Sequence, residues 1–413
     1  MATTRAETLT PQLARFARPA LIVGAVALVL AIAGALVSGS ATFWQSYLYA
    51  FLFWLVLTMG GLGLLILQYV VGGRWGQTIK RILEAMALNL PLMAIAFVPI
   101  VIGLFLGNTA LYPWNNPEVV AEYEMLQHRV ESGYLTPLWF TVRAVVYFAV
   151  WLGLVYLLTN GSRAQDSNPS LAIHKRLGRI SAVGIVLFVL SYSFAMIDWG
   201  MTTEKLWYST MYPVLFISAS ALTGIAFSLV VLSFLRNTAP ISRIANAGRF
   251  HDLGSLAFAF TVLWTYINFS QFLIIYSANI SEEAEFYVHR TQGGWGIVGA
   301  LVTICCFILP FLILLGRRTK RSPERMRMVA LFILAAQLLN LFYTLMPAFH
   351  PEQFTINWTD IVAWIGLGGL WVGLFLFTLS RRPLVVENDP RQAHCLEHHH
   401  GDAFDGEVAH AHA

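Results

Sequence analysis

Long runs of apolar residues recur along the whole chain, separated by short polar segments. Each run holds roughly 20 residues, the length that an α-helix needs to cross the hydrocarbon core of a bilayer. We expect ten spans, at about 19–38, 47–71, 82–107, 137–159, 177–199, 209–235, 252–278, 294–316, 326–346 and 360–380. The first run passes through "SGS" directly into the second, which indicates a span and not a cleavable signal peptide. The pattern predicts an all-α polytopic membrane protein.

The charged residues agree with this class and indicate an orientation. Of the 413 residues, 57% are apolar and 12% are charged, and a soluble protein carries about twice that charged fraction. Most Lys and Arg residues lie before span 1, in the gaps after spans 2, 4, 6 and 8, and after span 10. Under the positive-inside rule both termini are therefore cytoplasmic. The net charge of +4 reflects this sorting, so we expect a lipid bilayer and no nucleic acid as partner.

Two of the predicted spans begin alike, with "WQSYLYAFLFW" before span 2 and "WYSTMYPVLFI" before span 6. The matches share one constant offset and pair Trp44, Ser46, Tyr49, Leu52, Phe53 and Gly61 with Trp207, Ser209, Tyr212, Leu215, Phe216 and Gly224. Both helices begin outside, so the repeated unit has an even number of spans in parallel orientation. We expect two four-helix bundles, spans 2–5 and 6–9, flanked by spans 1 and 10.

This organisation divides the chain into six segments. They are a cytoplasmic N-terminal segment (1–18), span 1 with an outer loop (19–46), the first bundle (47–199), the second bundle (200–346), an outer loop with span 10 (347–380), and a cytoplasmic tail (381–413). The tail is polar and rich in His, which predicts disorder. Its histidines fit either metal binding or a remnant of an added tag.

Ionisable residues inside apolar windows are candidate functional residues, because burying a charge in hydrocarbon is costly. Arg143 lies six residues after Pro137 in span 4, about 9 Å below the outer boundary. It could snorkel to the surface, but neighbouring Phe140 and Tyr147 favour an inward-facing guanidinium. Asp198, at the outer end of span 5, lies at a compatible depth and is the expected partner.

Span 7 carries amides inside its apolar window "WTYINFSQFLIIYSANISEE". Thr261, Thr265, Asn268 and Gln271 share an arc of about 120° and so form one face of the helix. This face fits two interpretations. It is either interhelical hydrogen-bonding, worth about 0.6–2 kcal/mol per contact, or the lining of a wet pocket or proton route.

Three further polar residues mark the cytoplasmic side. Glu84 begins the apolar part of span 3, and His251 with Asp252 begins span 7. Asp252 is also typical of a helix N-terminus, and Glu84 follows basic residues with which it can pair. A relay that runs from Glu84 or Asp252 through Tyr266 and Asn268 to Arg143 and Asp198 is one hypothesis.

The outer loops are acidic, with Glu282, Glu283 and Glu285 after span 7. Two interpretations are open for these residues. The acidic character either follows from the exclusion of cytoplasmic retention signals, or it forms a docking surface for an extracytoplasmic partner.

The cysteine pattern excludes several cofactors. Cys305 and Cys306 are adjacent in span 8 and Cys395 stands alone, so the chain has no CxxCH haem motif and no iron–sulfur spacing. We expect no metal ligand in this chain and no covalently bound cofactor. Any redox centre that it serves belongs to another chain.

Three segments together resemble a known family. They are "LTPLWFTVRAVVYFAVW" (135–151), "FAMIDWGMTTEKLWYSTMYPVLFI" (194–217) and "HDLGSLAFAFTVLWTYINFSQFLIIYSANISEEAEFYVHR" (251–290). These segments are similar to the NrfD/PsrC-like integral membrane subunits of bacterial alternative complex III. The number of spans and the orientation match the smaller of its two such subunits.

The resemblance implies membership of a quinol:electron-acceptor oxidoreductase in a bacterial cytoplasmic membrane. In that family, menaquinol or ubiquinol is oxidised near the outer face, and electrons pass through iron–sulfur clusters and haem c in extracytoplasmic subunits to cytochrome c or a cupredoxin. A larger NrfD-like membrane subunit is the expected neighbour. The resemblance implies that Arg143, Asp198, Asn268 and Gln271 occupy family-like positions. Ser281, and Thr-Glu-Lys after Thr202, depart from the family pattern.

Two other functions fit the same sequence. A secondary transporter is compatible with parallel repeats and buried polar residues. A structural anchor that docks redox proteins without chemistry is compatible with the acidic outer loops.

Overall fold

The computed structural model describes residues 10–168, 170–238 and 241–385. All regular structure in these residues is helical, and ten segments are long and apolar enough to cross a membrane. The spans, in chain order, are Leu13–Ser38, Ser40–Val71, Arg74–Phe105, Pro137–Ser167, Leu171–Thr203, Met211–Leu235, Ala247–Ala278, Trp295–Leu315, Pro323–Ala348 and Trp358–Ser380. The predicted all-α polytopic membrane fold is therefore confirmed.

Span 3 differs from its prediction at both its start and its middle. It begins at Arg74, well before the apolar window, with the helix Arg74–Ala87. The helix then breaks at Leu88 and Asn89 and continues as Leu90–Phe105. Pro91 explains the break, because proline in the first turn of the second helix has no N–H to donate to the first.

The connection between spans 1 and 2 is shorter than expected. A single residue, Gly39, separates the two helices, and its φ is 91°. A positive φ stops a helix within one residue, and only glycine adopts it without steric cost. Spans 1 and 2 therefore form a tight hairpin.

The spans group into two rings of four. Span 2 packs against spans 3 and 5, and span 4 packs against the same two helices. Spans 6, 7, 8 and 9 contact one another in the same cyclic order, and the two rings meet mainly through spans 2 and 6. Spans 1 and 10 pack against each other and against span 2. Span 2 is thus central, which explains why it is apolar on every side.

Glycines set the closest helix contacts. Gly60 of span 2 faces Ser220 and Gly224 of span 6, and a Cβ on Gly60 would lie 2.1 Å from the Ser220 carbonyl oxygen. Spans 1 and 10 approach in the same manner, since a Cβ on Gly24 would lie 2.5 Å from the backbone nitrogen of Leu370. Small residues allow helices in lipid to pack backbone against backbone, where dispersion replaces the hydrophobic effect.

Successive spans run in opposite directions, so the connections between them lie alternately at two ends of the molecule. The basic end holds Arg74, Arg236 and Arg317, and the acidic end holds Glu118 and Glu282. At the basic end, the residues that follow span 10 fold back onto the bundles, and Arg382, Leu384 and Val385 are buried there. The N-terminal residues 1–9 and the His-rich part of the tail, 386–413, lie outside the described residues.

Gly60→Ala is expected to destabilise the protein by about 1–3 kcal/mol, because the added methyl group would force spans 2 and 6 apart. Gly153→Ala is the matched control, since Gly153 also lies within a span and a Cβ there has nothing within 4 Å. Thermal unfolding in detergent measures both variants. Equal melting temperatures would contradict the close crossing.

Candidate functional site

A cavity of about 700 Å³ lies within the second bundle, toward the acidic end. Its walls come from spans 6, 7, 8 and 9 and from the short helix Ser281–His289. Most of the lining is aromatic or aliphatic, and the polar lining includes Asn268, Gln271, Tyr287, Arg290, Asn340 and Tyr343. Ligand pockets are typically about 300–1,000 Å³ with a few polar groups in an apolar wall. We refer to this space as the outer cavity.

The shape of span 8 opens the outer cavity. Span 8 changes from α-helix to a π-helical segment at Ile304–Ile308. Pro310 accounts for this change, because it has no N–H to bond the carbonyl of Cys306. Span 7 packs against the π segment and the helix beyond it. The outer part of span 8, Trp295–Thr303, packs on span 9, with the outer cavity between it and span 7.

Of the predicted polar face of span 7, Thr265, Asn268 and Gln271 line the outer cavity, whereas Thr261 is fully buried outside it. Thr265 Oγ1 donates to the carbonyl of Thr261 at 2.8 Å, and Asn268 Nδ2 donates to the carbonyl of Trp264 at 3.1 Å. These bonds stay within one helix. Among the described residues, Asn268 makes no interhelical hydrogen bond, so its amide oxygen is available there to a ligand.

Gln271 is buried beside a tyrosine of the short helix. Ser209 Oγ and Tyr287 Oη lie 3.5 Å from its amide oxygen and nitrogen, respectively. Contacts of that length are weak hydrogen bonds. Burial raises the pKa of Tyr287 to about 12, so its hydroxyl keeps its proton at neutral pH. Gln271 and Tyr287 therefore retain hydrogen-bonding capacity at the outer cavity.

Arg290 also lines the outer cavity. It was not predicted as a site residue. Its guanidinium donates to Glu204 Oε1 at 2.9 Å and to the carbonyls of Phe286 and Thr344. It lies 3.4 Å from the centroid of the Phe286 ring, and its side chain is 1% exposed. A buried cation needs this degree of pairing. The signal for Arg290 in the sequence was a basic residue among acidic outer loops.

A separate pocket of about 30 Å³ adjoins the outer cavity, shares Asn268 and Asn340 with it, and is also lined by spans 2, 6 and 9. We refer to this pocket as the extension. This volume is large enough for water, which needs roughly 10–15 Å³ by this measure. Gln337 and Asn340 line the extension, with Asn340 Nδ2 donating to Gln337 Oε1 at 3.3 Å. Gln337 Nε2 has no hydrogen-bond partner among the described residues. Neither amide was predicted as a site residue, although both lie inside an apolar window as Asn268 does.

In the first bundle, the expected ion pair between Arg143 and Asp198 is present. Arg143 Nε donates to Asp198 Oδ2 at 2.8 Å, and Nη2 donates to Oδ1 at 3.1 Å. Asp198 is fully buried. The predicted inward orientation of Arg143 is therefore confirmed, and the bidentate geometry gives the strongest form of such a pair.

Two tyrosines complete the surroundings of Asp198. Tyr147 Oη donates to Oδ2 at 2.9 Å, and Tyr134 Oη donates to Oδ1 at 3.1 Å. The guanidinium of Arg143 also lies 3.9 Å from the centroid of the Tyr134 ring. Burial and the Asp198 carboxylate raise the pKa of Tyr134 to about 12. Every oxygen of this carboxylate is thus occupied, which favours a structural role in the state described.

Glu84 is fully buried at the basic end. Its Oε2 accepts from Arg81 Nη1 at 2.8 Å and from Arg382 Nη1 at 2.9 Å. Nη2 of Arg81 also donates to both carboxylate oxygens of Asp166 in span 4. The predicted pairing with Arg81 is present, while Asp166 and Arg382 were not anticipated. Burial lowers the pKa of Arg382, and the Glu84 carboxylate opposes that shift.

The remaining relay residues are not brought together. Asp252 is 46% exposed and pairs with Arg249 of its own helix at 3.7 Å. His251 stands beside it, and Asn246 provides the actual N-cap of this helix. Tyr266 is 66% exposed on the outer surface of span 7, at the rim of the outer cavity. A path from Asp252 to Asn268 along span 7 would cover about 24 Å.

The proposed docking residues share one short helix. Glu282 and Glu283 lie in the first turn of Ser281–His289, where carboxylates complement the helix dipole. Glu282 is exposed, and Glu285 lies 3.6 Å from His289. The same helix presents Tyr287 to the outer cavity on another side. Docking at this helix would therefore contact the wall of the cavity.

Within residues 10–168, 170–238 and 241–385, no group of three His, Cys, Asp or Glu side chains could hold a metal ion. The histidines of the tail lie outside these residues. No protein-family model matches the sequence, and no curated protein is significantly similar to it. The family resemblance of the three motifs therefore stays a prediction.

A double-mutant cycle tests the energetics of the ion pair between Arg143 and Asp198. Arg143→Leu alone is expected to cost about 3–5 kcal/mol, because it leaves the buried Asp198 carboxylate without its cation. Arg143→Leu combined with Asp198→Leu is expected to cost less than the two single changes added together, with coupling of roughly 0.5–3 kcal/mol. Thermal unfolding in detergent measures all three proteins. Additive costs would show that the pair is not energetically coupled.

Proposed function

We propose that this chain is a membrane subunit, not catalytic alone, of a quinol:electron-acceptor oxidoreductase in a bacterial respiratory or photosynthetic chain. The outer cavity is the observation that carries the proposal, and the three family-like motifs support it. In this proposal the basic end faces the cytoplasm, as the positive-inside rule requires. Haem c and iron–sulfur centres belong to extracytoplasmic partners, and a larger NrfD-like subunit lies beside this chain.

The outer cavity fits the chemistry of a quinol. A quinol combines a flat aromatic head group that has hydroxyls with a long apolar tail. Asn268 and Gln271 offer amide groups to the hydroxyls, and aromatic side chains such as Phe272 offer stacking surface to the ring. Tyr266 and Phe269 line the cavity and are exposed on the lipid-facing surface. The tail of a bound quinol would leave the bundle there.

In the proposed reaction, this chain positions the quinol, which is oxidised to the quinone. Its two electrons pass to the redox centre of the partner, and its two protons pass to water, because the amides are not bases. The amide oxygens of Asn268 and Gln271 accept hydrogen bonds from the quinol hydroxyls. Asn340 and Gln337 line the water-sized extension that adjoins the outer cavity. This extension replaces Tyr266 in the proton route, because Tyr266 lies at the exposed surface.

The position of the acidic helix Ser281–His289 at the cavity wall also fits docking of the electron acceptor. The helix Ser281–His289 carries Glu282, Glu283 and Glu285 and forms part of the cavity wall. A partner with a basic surface would therefore bring its redox centre close to the quinol ring. Opposite charges at such a surface raise the association rate.

A secondary transporter is the second candidate, and one observation favours it. Asn89 lies in the break of span 3 and is fully buried, with neither amide atom partnered among the described residues. Broken helices with polar groups inside the membrane are typical of transporter sites. Uptake of a labelled solute by vesicles that contain this chain alone would support transport and contradict the oxidoreductase proposal.

Filling the outer cavity is expected to weaken quinol binding. Thr303→Trp places an indole in the cavity wall, and we expect the KM for quinol of the assembled complex to rise by at least about tenfold, the effect of roughly 1.4 kcal/mol of lost binding. Ile297→Trp is the matched control, because Ile297 lies on the same helix, is 71% exposed and is absent from the cavity lining. Quinol:acceptor turnover measures both. An unchanged KM in both variants would support a structural anchor.

Purification of the chain from native membranes tests the assembly itself. We expect haem- and iron–sulfur-bearing subunits to co-purify in a fixed ratio, detected by absorption spectra and mass spectrometry. High salt is expected to weaken the association, since salt screens exposed charges beyond about 8–10 Å. A chain that purifies alone from mild detergent would contradict the proposal.

A further inference from the structure

A second, smaller pocket lies at the basic end, between spans 6 and 9. Its volume is about 150 Å³, and it is formed where span 6 ends and span 9 begins. Its polar lining consists of Ser233, Arg236, Asn237, Glu324 and Arg327. None of these residues belongs to the outer cavity or to the Glu84 cluster. The pocket is therefore independent of the proposed quinol site.

The charge of this pocket favours an anion. Arg236 and Arg327 bring two guanidiniums, and Glu324, which pairs with Arg236, brings one carboxylate. Span 9 also begins here, with Pro323 in its first turn. The N-terminus of a long helix carries a partial positive charge. The net charge of the lining side chains is thus positive, and a single phosphodiester charge would neutralise it.

The pocket contains a buried hydroxyl, that of Ser233, whose hydrogen bond is not made within the described residues. Its side chain is 6% exposed, and Oγ has no partner among the described residues. Serines inside helices ordinarily satisfy the hydroxyl on the carbonyl four residues earlier, as Ser228 does at 2.7 Å. Because Ser233, Arg236 and Arg327 line the same pocket, all three offer hydrogen-bond donors to an anion bound there.

The side of the pocket that faces the bilayer indicates the source of the anion. Phe234 lines the pocket and is 64% exposed at the end of span 6. The guanidinium of Arg327 lies 5.1 Å from the centroid of its ring. An aromatic residue at the end of an apolar span marks the interface between hydrocarbon and head groups. A phosphate held at this depth belongs to a lipid.

We propose that this pocket binds the head-group phosphate of an anionic phospholipid, with Arg236, Arg327 and Ser233 as its ligands. The acyl chains lie along the exposed surface beside Phe234. Basic pockets between membrane helices bind anionic head groups by the same chemistry. The guanidinium fork matches the geometry of phosphate oxygens.

Titration of the purified full-length chain with phosphatidylglycerol tests the proposal, with native mass spectrometry to count bound lipid. Arg327→Gln is expected to weaken retention by about tenfold, the effect of one lost charge-assisted contact. Ser233→Ala is expected to weaken retention less and keeps the charge intact. Arg325→Gln is the matched control, since Arg325 is exposed on the same helix and does not line the pocket.

Three outcomes overturn the proposal. Equal loss in the Arg325→Gln and Arg327→Gln variants would show diffuse charge attraction without a site. Equal retention of phosphatidylcholine would show that the head-group charge is not recognised. Displacement of phosphatidylglycerol by millimolar inorganic phosphate would assign the pocket to a soluble anion. None of these outcomes depends on quinol chemistry, because the readout is bound lipid.

Discussion

In a bilayer, each polar group must find its partner inside the protein, and this constraint accounts for most of the architecture. Asp198 and Glu84 are fully buried and held by arginines. The pair of Arg143 and Asp198 joins spans 4 and 5, and Arg382 joins the segment after span 10 to Glu84 of span 3. Among the described residues, Gln337 and Ser233 each leave a polar atom without a partner at a pocket. At these two positions a ligand or water could supply the missing partner.

The two bundles share one helix arrangement but differ in how their interiors are filled. Aromatic rings fill the first bundle, where Trp199 lies between Phe97 and Phe148 with ring centroids 4.4 and 5.5 Å away. Such packing leaves a solid core that resists rearrangement. In the second bundle the outer part of span 8 stands away from span 7, and the outer cavity takes the place of a core. One bundle provides rigidity and the other provides space.

The sequence predicted whatever depends on local pattern. Apolar windows located all ten spans, and Arg143 with Asp198 could be paired because each was a charge in an apolar window at a similar depth. Arg290 and Glu204 were missed because they lie in connections, where charge is ordinary. The outer cavity could not be foreseen either, since it depends on the departure of span 8 from α-helical geometry at Ile304–Ile308.

The contact between Arg382 and Glu84 has a consequence for biosynthesis. Glu84 enters the membrane early, as part of the third helical segment, whereas Arg382 is made after the tenth. Until the ribosome has completed the last span, Glu84 lacks Arg382 and is balanced by Arg81 and the nearby Lys80. Chains proceed through partly assembled intermediates. The buried network near the start of the fold is thus completed only at the end of translation.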